Sequence, residues 1–279
     1  MSPHTEIRNL TLQETAKLVE WAGHEGWNPS PDDAPAFFAA DRQGFIGCFI
    51  NGELASGISA VAYGETFGFI GLYITRPDFR GKGYGLKVWN AAISRLMGRT
   101  IGLDGVPAQQ ANYETMGFRR SYGSTRWSGS VQDVSTVGNA TAAISQDYDE
   151  ILSFDRACFP EERVSFLRVW LAAPRKAFVA RQDGRIVGYA VVRKCRAGYK
   201  VGPIFAHNDL IARDLLKACG RTAGAATLHL DVPDSQLEFG KHLKTLGFQP
   251  GFETARMYLG KPPEIGISSV FAVTTLELG

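Results

Sequence analysis

A Thr-Met-Gly-Phe stretch at Thr115–Phe118 returns as Thr-Leu-Gly-Phe at Thr245–Phe248, so that Gly247 repeats Gly117. The turn-forming pair Asn51-Gly52 returns as Asp183-Gly184, shifted along the chain by almost the same interval. Two nearly equal offsets in different parts of the chain indicate a duplicated unit. A period of this length is too long for a solenoid, whose repeats run to about 50 residues at most. The 279 residues are therefore read as two copies of one α/β fold. The expected division is residues 1–130, a linker at 131–141, and residues 142–279. The linker is placed by the run GSVQDVSTVGNAT, whose small and polar side chains can hold little core.

Local signals fill in each copy. Thr11 and Glu14 form a capping-box pattern ahead of a helix running to Ala22, since a threonine hydroxyl can accept from the free amides of a first turn. Strands are expected at 6–10, 44–50, 54–63, 67–75 and 100–103, with the Asn51-Gly52 turn joining the second pair. Helices are expected at 34–40, 85–97 and 108–116 from their apolar spacing. The second half repeats this outline, with helices at 147–157, 164–171, 208–219 and 237–246. Its strands are expected at 178–180, 186–192, 199–204 and 227–232.

The stretch Arg80-Gly81-Lys82-Gly83-Tyr84-Gly85 lies between a strand and a helix. Glycines allow a tight turn that points several N–H groups at one spot. The following helix adds its positive end, and Arg80 and Lys82 add charge, which together suit a pyrophosphate. No GKS or GKT follows, so this is not a Walker loop. Rossmann spacing would need a small residue where Val88 stands.

Arg80-x-x-Gly83-x-Gly85 resembles the acetyl-CoA signature of the GNAT acetyltransferase superfamily, Q/R-x-x-G-x-G/A. Downstream, Asn112-Tyr113-Glu114-Thr115-Met116-Gly117-Phe118 is similar to that family's closing segment, in which a tyrosine precedes a Gly-Phe pair. The resemblance covers roughly residues 5 to 130. It implies an α/β (α+β) fold of two GNAT-like domains, each a mixed, mostly antiparallel twisted sheet flanked by helices. It also implies an acetyl-CoA-dependent N-acetyltransferase acting by direct attack in a ternary complex. Loop residues Arg80, Gly81, Lys82, Gly83, Tyr84 and Gly85 would hold the pyrophosphate, and Asn112 could add a contact. Leu72, Tyr73 and Ile74 would bind the pantetheine arm, with an Ile74 N–H polarising the thioester carbonyl. Tyr113 would be the acid for the departing thiolate. One departure is Val106, where many members carry an asparagine.

The acceptor is expected to be a small-molecule amine, and its proton needs a base. Glu25 is the candidate taken forward, with Glu65 as a second candidate and His24 as a weaker one. Trp27 and Asn28 are expected to border the acceptor, and Asp231, Arg163 and Arg256 are possible polar groups from the second half. On the offset that carries Gly117 to Gly247, Arg80–Gly85 falls on Leu210–Leu215 and Tyr113 on Leu243, so the second half is expected to bind no cofactor. A non-catalytic acyl-CoA-binding module and a protein lysine or N-terminal acetyltransferase are the rival readings.

Composition narrows the partners. Thirty basic against 28 acidic residues, a net charge of +2, give no electrostatic reason to expect a nucleic acid or a membrane surface. No apolar run reaches bilayer length. The four cysteines are scattered, with no CxxC pair and no metal-ligand spacing, and no metal is expected. With no signal-like start, a cytoplasmic protein is expected. Nothing in the sequence speaks to oligomeric state.

Overall fold

In a computed structural model, residues 4–131 and 139–279 are described. The first half runs β1 (Thr5–Asn9), α1 (Leu12–His24), α2 (Asp33–Ala40), β2 (Phe45–Ile50), β3 (Glu53–Tyr63), β4 (Phe67–Thr75), α3 (Tyr84–Arg95), β5 (Thr100–Gly105), α4 (Pro107–Thr115) and β6 (Arg119–Gly129). The second runs β7 (Ala140–Ala142), α5 (Tyr148–Cys158), α6 (Val164–Trp170), β8 (Lys176–Gln182), β9 (Arg185–Lys194), β10 (Tyr199–Ala206), α7 (Asp209–Ala223), β11 (Leu228–Pro233), α8 (Leu237–Thr245), β12 (Gln249–Leu259) and β13 (Val270–Ala272).

The local signals act as expected. Thr11 Oγ1 accepts from Glu14 N at 3.3 Å, and the Glu14 carboxylate accepts from Thr11 N at 2.8 Å, closing the capping box on α1. Such a cap contributes about 1 kcal/mol. Both hairpin turns hold left-handed pairs, with φ of 50° and 83° at Asn51-Gly52 and 51° and 79° at Asp183-Gly184. That geometry matches the right-handed twist of the flanking strands.

The halves do not form two separate sheets. The strands join one continuous sheet in the order β1-β2-β3-β4-β5-β12-β6-β11-β10-β9-β8-β7, with β13 beside β10. Strand β12, from the second half, lies between β5 and β6 of the first, and β6 in turn pairs with β11 of the second. Each half is thus completed by the last long strand of the other. The exchanged strands, Arg119–Gly129 and Gln249–Leu259, start and end at the same offset as the Gly-Phe repeat. They pair antiparallel, and Ser124 faces Thr254, its own repeat equivalent. A local two-fold axis therefore passes between those two residues.

The expected linker is also shorter than 131–141 at both ends. Val131 is buried, packed against Gly220 of α7, and Ala140–Ala142 pairs with β8 as strand β7. The interior of that stretch, 132–138, lies outside the described residues.

Three apolar clusters cover the sheet. One packs α3 and α4 onto the first half, through Val88, Trp89, Leu96 and Phe118. A second packs α7 and α8 onto the second half, through Leu215, Leu216, Phe239 and Leu243. The third joins α1, α2, α5 and α6 on the opposite side and draws residues from both halves, among them Leu18, Phe37, Phe166 and Trp170. The interface between halves is thus itself core. All four cysteines are free and buried, and Cys48, Cys158 and Cys219 sit within these clusters.

Among the described residues the sheet is antiparallel except at two equivalent places, β4–β5 and β10–β11. At both, the parallel strands part before they end. Pairing of β4 with β5 stops at Ile70↔Leu103, and pairing of β10 with β11 stops at Val201↔Leu230. A bulge in β4 sets Leu72 and Tyr73 opposite Ile58 alone, with Leu72 at φ 47°. The matching bulge in β10 falls on Gly202 and Pro203. The second gap is filled by the chain itself. Strand β13 pairs with β10 beyond the gap, and Val273 N donates to Asp231 O of β11 at 2.9 Å. The first gap is open.

Candidate active site

A cavity of about 490 Å³ occupies the open gap between β4 and β5. Its walls include consecutive residues of both strands, Ile70 and Gly71 on β4 and Leu103 and Asp104 on β5. Consecutive strand residues face opposite sides of a sheet, so the cavity passes through it. Tyr73, Val106, Asn112 and Tyr113 line the side under α3 and α4. Trp27, Arg126, Phe252, Thr254, Leu276 and Glu277 line the other.

The glycine turn stands at one mouth. Gly81 and Gly83 hold φ of 73° and 80°, and Gly83 is the N-cap of α3. A side-chain carbon built on either would meet nothing within 4 Å, so the turn faces open space. Gly85 is different, because a side chain there would press on the Thr75 and Tyr73 hydroxyls at 2.9 Å. The free amides of the α3 first turn, with Arg80 and Lys82 beside them, fit an anionic pyrophosphate. Arg80 Nε donates to Thr75 O at 2.8 Å, and Lys82 Nζ to Asp78 O at 2.8 Å. The equivalent helix in the second half, α7, has no such cradle. Asn208 caps it, accepting from Ile211 N at 3.1 Å, and Leu210 to Leu215 form its first turns. Leu243, at the position equivalent to Tyr113, is fully buried core.

Tyr113 stacks on Trp89, with ring centroids 5.5 Å apart, and reaches the cavity from α4. Burial, followed by the neighbouring Tyr73, pushes its phenol up to about 12. The ring therefore keeps its proton throughout the neutral range. Ile74 is buried and absent from the cavity wall, and its carbonyl accepts from Ser56 Oγ at 3.2 Å. Leu72 and Tyr73, in the bulge, line the opening together with Ile70, Gly71 and Thr75 of the same strand.

On the acceptor side the expected residues divide. Glu25 and Trp27 line the cavity, and Glu25 is ion-paired with Arg80 at the rim. Asn28 does not line it. Its amide bonds both ways with the Ala197 backbone, at 2.8 and 2.9 Å, and so fixes the loop that carries Trp27. Arg126 Nη1 and Lys200 Nζ donate to Trp27 O at 3.2 and 2.8 Å, so the second half helps hold that loop. Burial, then Arg126, lowers the Lys200 ammonium from its ordinary value. Glu65 sits in the β3–β4 turn at the far end of the strand, and His24 is exposed.

Asp231, expected at the acceptor, is one residue removed from the wall. It holds Arg126 with two bonds of 2.7 and 2.9 Å, and Arg126 is the cavity residue. Across the local axis, Arg256 and Asp104 repeat that pair at 2.7 and 2.9 Å. Arg163 is bonded to Asp155 at 2.8 and 2.7 Å and to Thr274 Oγ1 at 2.7 Å, away from the cavity. The sequence did not single out Arg126, Phe252, Thr254 or Glu277. Arg126, Phe252 and Thr254 are brought there by the exchange of β6 and β12, and Glu277 by the segment after β13, neither of which sequence spacing alone discloses.

Comparison with known proteins fits this geometry. The family described as Acetyltransferase (GNAT) family matches residues 11–118, and the Acetyltransferase (GNAT) domain matches residues 151–272. The chain is 31% identical over 272 residues to a holothin acyltransferase of Pseudoalteromonas sp. (strain SANK 73390), covering 96% of this chain and 92% of that one. It is 24% identical to the uncharacterized N-acetyltransferase YitH of Bacillus subtilis (strain 168), over 98% of each. In fold it is similar to a Pyrococcus horikoshii protein assigned as an acetyltransferase, with a TM-score of 0.83 at 17% identity, covering 99% and 96% of the two chains. A tandem GNAT protein from the clavulanic acid biosynthesis pathway gives a TM-score of 0.64 at 14% identity, covering 93% and 100%.

Proposed function

We propose, from the premise that this chain belongs to the GNAT acetyltransferase family and is a tandem-domain acyltransferase, that it moves an acetyl group from acetyl-CoA to the amine of a small molecule. The observation that carries this is the cavity through the sheet. One mouth opens at a glycine turn suited to a pyrophosphate, and the other is walled by side chains of both halves. Cofactor and acceptor would meet from opposite faces, as direct attack in a ternary complex requires. Residues 1–130 would supply the cofactor side, and 142–279 would build part of the acceptor wall.

Each residue has a task in this reading. Gly81, Gly83, Arg80 and Lys82 hold the pyrophosphate, while Leu72 and Tyr73 lie along the pantetheine arm. Acetyl-CoA supplies the activated acetyl group. Tyr113 supports the departing sulfur. A thiol ionises near 8.5, far below a phenol pushed up to about 12, so Tyr113 donates a hydrogen bond to the growing thiolate rather than surrendering its proton. Trp27 and Phe252 form apolar walls for the body of the acceptor. Thr254 and Leu276 complete those walls, which favour a small acceptor over a lysine on a protein surface. The relative named as a holothin acyltransferase supports acyl transfer as the reaction.

The test is amine-dependent release of CoA thiol, followed by absorbance with a thiol reagent. Turnover is expected with a subset of small amines and not with acetyl-CoA alone. Tyr113→Phe is expected to lower kcat about 10²-fold, the usual cost of one lost donor to a developing charge, with acetyl-CoA affinity unchanged. Binding of acetyl-CoA without turnover across a broad panel of amines would instead support a non-catalytic acyl-CoA module.

A further inference from the structure

The segment that fills the second gap continues into the first. After β13, the chain crosses from β10 to the first half and lies against β3 and β4. Ser59 Oγ of β3 donates to Glu277 O at 3.2 Å, and Tyr63 Oη donates to Leu278 O at 3.0 Å. Thr275 Oγ1 accepts from Glu277 N at 3.2 Å and Leu278 N at 2.9 Å, folding the segment into a tight local turn. Gly71 of β4 leaves room for it, since a side-chain carbon there would sit 2.1 Å from Glu277 O. The buried Arg163 holds Thr274 from behind. Together these contacts fix the backbone of one carboxylate residue.

That residue is Glu277. It lines the cavity and is only 4% exposed. The Arg126 guanidinium, Lys200 and Arg193 act on it electrostatically. None of them bonds it directly, and among the described residues no hydrogen bond or ion pair reaches its carboxylate. Its oxygens are not among the sealed, unpartnered atoms of the interior, so the carboxylate is held at the cavity wall with its lone pairs free for a group bound there. Glu25, by contrast, is exposed at the rim and already paired with Arg80.

Resting on the acyl-transfer reading above, we propose that Glu277 is a catalytic residue, the group that takes the proton from the acceptor amine. The acceptor nitrogen forms a bond to the acetyl carbon, and the carbon–sulfur bond breaks. An N–H on that nitrogen becomes far more acidic as the new bond forms, so a carboxylate can accept its proton. The sulfur leaves as thiolate on the Tyr113 hydrogen bond, and Glu277 passes its proton to solvent. The second half, which has no cofactor cradle of its own, would then provide the base for the first.

The test uses the full chain with acetyl-CoA and a panel of probe amines: 2-phenylethylamine, aniline, lysine and spermidine. Glu277→Gln preserves shape and is expected to lower kcat about 10²-fold or more, with the calorimetric acetyl-CoA affinity within twofold of wild type. Glu277→Ala is expected to be equally slow and to regain at least tenfold with sodium formate, relative to sodium chloride of equal ionic strength. A purely structural role would not respond to formate. Should Glu277→Gln fail to fold, the folded Glu277→Ala protein carries the test. Unchanged kcat, or a raised KM with normal kcat, would overturn the proposal and leave Glu277 as no more than a docking charge. Wild-type protein that binds acetyl-CoA but acetylates none of the amines would overturn it together with the acylation reading. Absence of acetyl-CoA binding itself would instead mark the failure of the cofactor site.

Discussion

Acetyl-CoA titrated into the protein is expected to saturate at one site per chain, and the Gly83→Glu variant is expected to lose that binding by more than about 100-fold, roughly 2.8 kcal/mol. Gly83 holds φ 80° at the N-cap of α3, a left-handed conformation that costs other residues about 1–2 kcal/mol. The larger effect comes from the side chain. With nothing within 4 Å of its first carbon, the new glutamate would project into the open face of the turn. The helix end that attracts a phosphate would attract this carboxylate equally well, and it would compete from inside the site. Leu210→Glu on the equivalent helix of the second half is the control. Leu210 is exposed, next to a capped helix end, and its substitution should leave the titration unchanged. Two sites per chain, or binding that survives in Gly83→Glu, would show that the cradle lies elsewhere.

Asp104→Ala is expected to be the most destabilising single change at the seam between halves. It removes the carboxylate that holds Arg256 by two bonds, and the Arg256 side chain is only 6% exposed. Stranding a buried guanidinium costs about 3–5 kcal/mol, which for a chain of this size lowers the melting temperature by roughly 10 °C. The paired change Asp104→Leu with Arg256→Met should recover most of that loss, because a buried ion pair often stands no higher in stability than well-packed apolar residues. Circular dichroism melts of the three proteins decide the matter. A shift below about 2 °C for Asp104→Ala would mean that water reaches Arg256 once the carboxylate is gone.

Much of this was legible in the sequence because the relevant signals are local. Thr11 with Glu14, Asn51 with Gly52 and Asp183 with Gly184 act on their own neighbours, and each forms as read. The glycine turn and Tyr113 stood out because both lie in the stretches that carry the family resemblance, and both border the cavity or its mouth. The offset between Gly117 and Gly247 disclosed the duplication, and it even equals the spacing of β6 and β12. It could not disclose that those strands change places. Pairing β12 with β5 or with β11 satisfies the same alternating pattern, and the choice is made by contacts between distant parts of the chain, such as Arg256 with Asp104. Asp231 was picked out one bond short of the cavity, since its partner Arg126 does the lining. Glu277 was invisible for the same reason: its neighbours Ser59 and Gly71 belong to the opposite half of the chain.

The crossing of residues 270–279 has a consequence for how the two copies came to differ. Twin sites would compete for one short ribbon of chain, since the residues that stop the gap beside β10 lead straight into those seated on Gly71. Reopening the unused gap would pull the ribbon out and take Glu277 with it. Specialisation of the pair thus has a mechanical side: the thread that sews one opening shut also hems the edge of the other.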